Sequence, residues 1–376
     1  MNDSILQALQ NKQRDILADI QTIVEKESPT RNKALVDECG REIRKLVKQR
    51  LGAEAEVFKR EAFGDHFKYT FGSGEQQLLI LAHFDTVWPQ GHLAYKEEGN
   101  RAYGPGILDM KGGLVQAIWA IKTLIEQNIP LNKKIVLLCN SDHEGVSSPD
   151  SRKLIEKEAQ KSVAVLVPEA AEPYTVKVAR KGILRYTLSV TGRSAHSGNN
   201  HEKGINAIVE LTHHIQYLAQ QTDYSKGTTV NVGEIKGGTG INVVPAKAEA
   251  SVDVRVSTMA EAMRMQTLVE SLQPCHPEAK MTVNGGIVRP TLEQSSQSKK
   301  LFELVHSFGK QLGYEVDGVF AGGGSDGSFA SALGTPVLDG LGAAGKGPHA
   351  EHEHILINHL EKRTVLLAHL IQALVK

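Results

Sequence analysis

The chain has 376 residues, and its 43 basic and 43 acidic side chains cancel at neutral pH. At roughly 150 residues per domain this length predicts two domains, and the lack of net charge and of Lys/Arg runs argues against nucleic acids and acidic membrane surfaces as partners. The N-terminal stretch is charged and amphipathic, and no later stretch is long and apolar enough to cross a bilayer. We therefore expect a cytoplasmic protein that acts on a small molecule.

Three cysteines stand far apart in the sequence, at Cys39, Cys139 and Cys275. Because they lack CxxC spacing, they predict neither disulfides nor a zinc site made of thiolates. Cys139 lies inside the apolar run KIVLLC, and no adjacent base is present to activate it as a nucleophile. We expect all three to be buried thiols.

Short apolar runs alternate with helical patterns in the first part of the chain. The runs cover residues 78–82, 134–139 and 163–167, and helical patterns cover 113–125 and 150–160. Continuous apolar strands separated by helices predict an α/β domain with a central, mostly parallel sheet covered on both faces. Functional loops are then expected where the strands end.

The pattern changes from about residue 176 to residue 289. ILRYTLSVT, TTVNVGEI and AEASVDVRV alternate with period two, and two helical segments intervene at 205–220 and 259–272. This predicts an inserted α+β domain over 176–289. The α/β pattern resumes after Pro290 and ends in a helix at about 358–374, so the first domain is expected to be discontinuous, over 1–175 and 290–376.

Polar side chains follow the predicted strands of the first domain. His83 and Asp85 stand two residues apart at the end of LILAHFDTV, so both point to the same side, and Asp85 can hold one ring nitrogen while the other binds a metal. Asp109 precedes a helix in GPGILDMKGG, and Glu144 and Glu169 each follow a buried strand. Each residue also has a structural alternative. His83 could be a buried histidine held by a carboxylate, Asp109 a helix cap, and Glu144 and Glu169 solvated surface acids.

A histidine-rich loop, GPHAEHEH, lies between the last short strand and the last helix. His349 is its candidate ligand, whereas His352 and His354 are expected to be bystanders or part of a weak, adventitious site. Two histidines and three carboxylates at the ends of separate strands suit a pair of divalent ions bridged by one aspartate. Zinc is the favoured metal for such mixed nitrogen and oxygen ligands.

These motifs, together with HFDTVWP, GRSAHSG, NVVP, DVR and GGGSDG, resemble those of the M20 dinuclear zinc metallopeptidases in order and spacing over nearly the whole chain. Within that family the chain is similar to the carboxypeptidase G2-like (glutamate carboxypeptidase) group. The resemblance implies two Zn²⁺ ions per subunit, other divalent metals being possible, with the ligands His83, Asp109, Glu144, Glu169 and His349. It implies that Asp109 bridges the ions, that Asp85 orients His83, and that the peptide bond after Asp109 is cis.

The resemblance also implies that the inserted domain is a lid and a dimerisation domain, so a homodimer is expected. His196 in GRSAHSG would reach the active site of the neighbouring subunit and stabilise the oxyanion of the tetrahedral intermediate. The resemblance assigns substrate binding to Asn242, Arg289 and Gly324. The guanidinium of Arg289 is suited to donate two parallel hydrogen bonds to a free carboxylate. Arg255 is a further substrate-binding candidate, with a salt bridge inside the lid as its alternative role.

One position departs from the family pattern. The resemblance implies two consecutive glutamates at 143 and 144, the first being the general base, but His143 stands in the first place. Three hypotheses follow: His143 is itself the base, since imidazole accepts protons near neutral pH; Asp142 or another carboxylate replaces it; or the protein binds metal with little or no hydrolytic activity.

The sequence thus predicts a dinuclear zinc hydrolase that cleaves amide or peptide bonds of small substrates with a free carboxylate. The alternatives are an N-acyl amino acid deacylase of the acetylornithine deacetylase or desuccinylase kind, and a metal-binding protein with little activity. A nucleotide-binding oxidoreductase is disfavoured. Neither glycine-rich loop gives GxGxxG directly after the first strand with an acidic residue some twenty positions on.

Overall fold

The computed structural model describes residues 3–376, which divide into two compact units. The first unit comprises residues 3–179, Gln294–Phe320 and Phe329–Lys376, and the second comprises Arg180–Glu293 and Ala321–Ser328. The helices are α1 Ser4–Leu9, α2 Gln13–Val24, α3 Lys33–Leu51, α4 Gly112–Glu126, α5 Arg152–Ala159, α6 Ala207–Ala219, α7 Met259–Glu270, α8 Ser296–Gln311, α9 Gly327–Ala332 and α10 Leu360–Val375. The strands are β1 Glu56–Phe58, β2 His66–Phe71, β3 Gln77–His83, β4 Lys96–Glu98, β5 Arg101–Tyr103, β6 Lys134–Asn140, β7 Ser162–Leu166, β8 Thr175–Arg180, β9 Gly182–Thr191, β10 Thr229–Gly237, β11 Lys247–Val256, β12 Lys280–Arg289, β13 Asp317–Ala321, β14 Val337–Leu338, β15 Gly345–Lys346 and β16 His354–Leu356.

A six-stranded sheet in the order β1-β2-β6-β3-β7-β14 forms the centre of the first unit. The pairs β6/β3, β3/β7 and β7/β14 are parallel, and β1/β2 and β2/β6 are antiparallel. All seven residues of β3 are buried, as expected for a strand covered on both faces. The predicted α/β class with a mostly parallel central sheet is confirmed.

The parallel strands bring their following loops to one edge of this sheet. His83, the last residue of β3, is in register with Asn140, the last residue of β6, and β7 ends at Leu166 on the other side of β3. A second sheet, in the order β15-β16-β5-β4, pairs His354 with Tyr103. This pairing brings the histidine-rich loop to the glycine-rich loop that precedes α4.

The second unit is a four-stranded antiparallel sheet in the order β10-β11-β9-β12, with α6 and α7 packed on it. Buried and less buried residues alternate along β11, which is the signature of a strand with one face on a core. The core combines residues of the sheet and of both helices, among them Leu184, Leu188, Leu211, Val252 and Met265.

The compact units differ from the sequence-based domain limits by four residues at each boundary, since residues 176–179 belong to the first unit and residues 290–293 to the second, and they differ in one further segment. Residues 321–328 follow Pro290 in sequence, yet they group with the second unit. The N–H of Lys181 donates to the carbonyl of Ala321, and the Arg180 guanidinium donates to the carbonyl of Gly324. Among residues 3–376, no helix combines the length and apolar character that a membrane span requires.

Candidate metal centre

Five predicted metal ligands of the first unit lie together, although they come from five separate segments. His83 ends β3, and Glu144 and Glu169 lie in the loops after β6 and β7. Asp109 lies in a kinked turn before α4, where its backbone is not helical, and His349 lies between β15 and β16. Nε2 of His83 is 3.1 Å from Oδ1 of Asp109 and 3.5 Å from Oε1 of Glu169. The loops at the carboxyl edge of the sheet therefore converge on one cluster.

Asp109 stands between the two histidines of this cluster. Its Oδ2 atom is 3.3 Å from Nε2 of His349, which in turn is 3.0 Å from Oε1 of Glu144. Ligand atoms bound at 2.0–2.1 Å to one tetrahedral zinc lie about 3.3 Å apart. Because the two oxygens of Asp109 face different histidines, the residues fit two cations with Asp109 as the bridge. The peptide bond between Asp109 and Met110 is cis, as the resemblance implies.

The electrostatics of the cluster favour cations. Hydrogen bonds with Asp109 and Glu144 raise the pKa of His349 to about 10, against the opposing effect of burial. Burial also opposes protonation of His83, but hydrogen bonds with Asp109, Asp85 and Glu169 outweigh it and raise its pKa. The carboxylates thus create a negative potential that stabilises positive charge at this point, whether the charge is carried by a proton or by a metal ion.

Asp85 is fully buried behind His83 and connects two parts of the centre. Its Oδ1 atom is 3.5 Å from Nδ1 of His83, and its main-chain oxygen is 3.1 Å from the same nitrogen. The same carboxylate accepts the N–H groups of His143 at 3.2 Å and Glu144 at 2.8 Å, and the hydroxyl of Thr30 at 2.8 Å. Asp85 therefore orients one histidine ligand and also fixes the loop that carries Glu144.

Glu353 is a positioning residue that the sequence analysis missed. It is buried, and its carboxylate accepts N–H groups from Leu108 at 2.9 Å, Asp109 at 3.1 Å and Gly106 at 3.3 Å, and from the indole of Trp88 at 2.6 Å. Burial raises the pKa of Glu353 to about 7, the Trp88 hydrogen bond lowers it, and the charge of Asp109 raises it. In the sequence, only the position of Glu353 in the histidine-rich loop points to a role in the site. In that loop it cannot be told from a solvated surface acid.

Glu353→Gln should weaken metal binding and turnover by about 10–100-fold, the usual effect of losing a residue that orients ligands. The variant keeps the size of the side chain but places an amide N–H₂ against N–H donors of the loop that carries Asp109. Metal affinity by competition with a chromophoric chelator is the direct measurement. The matched control is Glu351→Gln, because Glu351 lies in the same loop and its side chain is 82% exposed. Equal effects of both substitutions would contradict the positioning role.

His143 lies within the cluster. Its ring stacks on that of His83, with centroids 4.0 Å apart and planes at 3°, and its Nε2 is 4.0 Å from Oε1 of Glu169. The carboxylate of the neighbouring Asp142 instead accepts N–H groups of Asp150 and Ser151 and the Ser151 hydroxyl, which fixes the start of α5. Of the two side chains considered as substitutes for the base, His143 is the one placed at the metal ligands.

The other predicted site residues belong to the second unit. His196 and Asn242 are exposed, and the main-chain oxygen of Asn242 accepts the N–H of Ser197. The buried Arg289 forms an ion pair with Asp326 at 2.5 Å, and Gly324 packs so closely that an added Cβ would lie 2.7 Å from Cδ of Arg289.

Arg255 lies on β11 and donates two hydrogen bonds to the carboxylate of Asp253, at 2.6 and 3.1 Å. Arg185 of β9 donates to the same carboxylate, at 3.4 Å. This is a salt bridge within the second unit, which is the alternative role expected for Arg255. Its role in substrate binding stays a prediction.

The model of peptidase family M20/M25/M40 matches residues 79–373. The chain belongs to this family. Carboxypeptidase G2 of Pseudomonas sp. (strain RS-16) is 33% identical over 313 residues, covering 81% of this chain and 75% of that protein. A succinyl-diaminopimelate desuccinylase of Beijerinckia indica subsp. indica is 28% identical over 316 residues, covering 78% of this chain and 81% of its own. The crystal structure of aminopeptidase PepT from Bacillus cereus superposes with a TM-score of 0.74 at 21% identity, covering 97% of this chain and 99% of that chain.

The predicted resemblance to the M20 peptidases is therefore confirmed, and this M20 protein is a metallopeptidase or amidohydrolase. The family is metal-dependent. This agrees with two groups of residues at the sheet edge that could hold a metal ion, one made of His83, His143 and Glu169 and the other of His83, Asp109 and Glu144. Membership of a peptidase family excludes the alternative that the protein is a nucleotide-binding oxidoreductase. The relatives that match the chain belong to two substrate classes. Family membership therefore indicates the type of bond that is cleaved but does not identify the substrate.

Proposed function

We propose that this M20 protein is a dinuclear zinc-dependent exopeptidase of the glutamate carboxypeptidase kind, which cleaves an amide bond next to a free carboxylate. The observation that carries the proposal is the placement of Asp109, of which one carboxylate oxygen lies next to His83 and the other next to His349. The 33% identity with carboxypeptidase G2 supports the substrate class. The second candidate, deacylation of N-acyl amino acids, is supported by the desuccinylases among the relatives.

The proposed ligands divide into two sets that share Asp109. His83 and Glu169 would hold one ion and Glu144 and His349 the other, while Asp85 orients His83. Divalent ions held in this way polarise a carbonyl and make a water molecule more acidic. His143, stacked on His83, would accept the proton of the attacking water and later pass it to the leaving amine.

His196 is proposed to stabilise the oxyanion of the tetrahedral intermediate in the neighbouring subunit. Its Nδ1 accepts the N–H groups of Gly198 and Asn199, both at 3.0 Å. Because Nδ1 acts as an acceptor, the proton of the neutral ring lies on Nε2, which is then a hydrogen-bond donor. A preorganised donor of this kind suits an oxyanion.

A homodimer formed through the second unit is part of the proposal. Strand β10 is an edge strand of its sheet, and Ile235 on that strand is 53% exposed. Val209 and Tyr217 expose large apolar side chains on α6, and Ile241 does so in the loop after β10. An open strand edge with exposed apolar side chains suits pairing with a second copy of the chain. The cytoplasmic location stays a prediction.

The test is turnover by the zinc-loaded protein of a matched panel: peptidyl and N-acyl glutamates, their amidated counterparts, and N-succinyl and N-acetyl diamino acids. Turnover of the glutamates, with loss of turnover on amidation, is the expected result. Preference for the N-acyl diamino acids would establish the deacylase instead. Turnover that is the same with and without the free carboxylate would contradict the proposed substrate class.

Arg289→Lys should raise KM for glutamate substrates by about 10–100-fold, since charge-assisted hydrogen bonds contribute about 1.5–3 kcal/mol. Lysine keeps a positive charge beside Asp326 but cannot form the fork that holds a carboxylate. The measurement compares KM for free and amidated substrates, and the difference between them should shrink in the variant. Arg193→Lys is the control, because Arg193 is exposed and pairs with Glu278. A uniform fall of kcat without change in KM would contradict carboxylate binding by Arg289.

A further inference from the structure

The second unit contains a separate cluster of side chains with metal-binding chemistry. Glu210 and His214 lie one helical turn apart on α6, and Cys275 lies in the segment between α7 and β12. One ligand atom from each residue lies within 4.8 Å of the other two. A carboxylate oxygen, an imidazole nitrogen and a thiolate sulfur are the three donor types found in protein zinc sites.

His214 occupies a position where α6 otherwise carries apolar side chains. Ala207, Leu211 and Leu218 are the buried apolar residues of the helix, and Glu210 and His214 are buried on the same side. The His214 side chain is 5% exposed, and its Nε2 has no hydrogen-bond partner among residues 3–376. Because a buried nitrogen without a hydrogen bond is costly, and the Glu210 carboxylate lies within ion-pair distance of this atom but forms no hydrogen bond with it, a bound ion would satisfy the nitrogen.

The geometry at Nε2 suits a metal ion. This nitrogen lies 3.4 Å from Oε1 of Glu210, close to the spacing of about 3.3 Å for two donors on one tetrahedral zinc. The Glu210 carboxylate also accepts the N–H groups of Cys275 and His276, which fixes the Cys275 segment against α6. Cys275 is exposed, contrary to the sequence-based expectation of a buried thiol, so an ion has access from solvent.

We propose that Glu210, His214 and Cys275 bind a divalent cation of the zinc type, in addition to the ions of the centre in the first unit. The Cys275 thiol would release its proton to solvent on binding, and the sulfur would join the imidazole and the carboxylate as third ligand. A solvent-exposed fourth position remains. Thiolate and imidazole ligands select zinc-like ions over Mg²⁺ and Ca²⁺. The ion would fasten the segment 271–279 to α6 and stabilise the second unit.

Titration of the metal-depleted, full-length protein with Co²⁺ tests this site. The expected result is a thiolate-to-cobalt charge-transfer absorption that is lost in Cys275→Ser and in His214→Ala. None of the ligands proposed for the centre in the first unit is a cysteine, so that centre contributes no such band. His213→Ala is the matched control, because His213 lies next to His214 on the exposed side of α6 and should leave the band unchanged. Absence of the band, or its persistence in Cys275→Ser, would overturn the proposal.

Thermal unfolding gives a second measurement that does not depend on the cobalt spectrum. Zn²⁺ should raise the unfolding midpoint of the wild-type protein more than that of Cys275→Ser, because an ion that binds only the folded state stabilises it. Serine is small and polar and occupies an exposed position, so the variant is expected to fold. Equal rises in the two proteins would show that the ions bind elsewhere and would reject the site.

Discussion

Asp109→Asn should lower kcat/KM by a factor of about a thousand or more, one of the two largest effects expected of single substitutions in this M20 protein. Polarisation by a bound metal ion contributes several kcal/mol to transition-state stabilisation, and each 1.36 kcal/mol corresponds to a factor of ten in rate. Asparagine keeps the shape of Asp109 and one oxygen, but it loses the negative charge and the ability to bridge. Both His83 and His349 then lose the carboxylate partner that they share.

Metal content separates this explanation from a general loss of structure. In a Cys275→Ser background, which removes the cluster of the second unit, the parent should hold two ions per chain. The Glu169→Ala variant should retain one ion and Asp109→Asn fewer than one. Asp317→Asn is the control, since Asp317 is exposed. An Asp109→Asn protein that retains both ions and most of its activity would show that Asp109 does not bridge.

The metal centre could be predicted where it depends on the central sheet. Strands β3, β6 and β7 are adjacent and parallel, so the loops after their carboxyl ends must meet. The apolar runs in the sequence locate these strands, and His83, Glu144 and Glu169 follow from them. Strand pattern thus suffices to bring these three side chains together, whereas their role as metal ligands was implied by the family resemblance.

The contributions of His349 and Glu353 to the site could not be predicted from a periodic sequence pattern alone. Both lie far from the other residues in sequence and reach the centre because the three-residue strand β16 pairs with β5. Strands this short carry no measurable alternation, so the composition of the loop made His349 only a candidate, the resemblance supported it as a ligand, and Glu353 was missed. The sequence EHEH does not show that Glu353 is buried and Glu351 exposed. That difference follows only from the three-dimensional structure.

The second unit shows the same limit. Its strands alternate clearly in sequence, and the inserted α+β pattern follows from them. The placement of residues 321–328 depends instead on contacts of Arg180 and Arg289 with Gly324 and Asp326. Burial of Cys275 was expected from the usual behaviour of cysteine, but the residue lies between Pro274 and Pro277 in a short surface connection that leaves it exposed.

His143→Ala should lower kcat by a factor of about 10²–10⁴, the usual contribution of a general base, while leaving the metal content unchanged. The structure places the His143 ring against His83 and beside Glu169, whereas the carboxylate of Asp142 is engaged at the start of α5. Added imidazole should restore part of the lost turnover, since it can replace the missing base. His92→Ala is the control, because the His92 side chain is 44% exposed.

His143→Glu tests two of the three hypotheses about this position, namely that His143 is the base and that the protein binds metal with little activity. If His143 is the base, the glutamate variant should remain active, with the acidic limb of its pH–rate profile at lower pH, because a carboxylate loses its proton at lower pH than an imidazole does. Loss of one metal ion in His143→Ala would mark His143 as a ligand, which its grouping with His83 and Glu169 also permits. Activity in the glutamate variant alone would mean that the natural chain binds metal with its base removed. We expect the glutamate variant to remain active. The position of the His143 ring against His83 and the presence of a full set of candidate ligands favour this result, because a centre that had lost hydrolysis would have no chemical need for either.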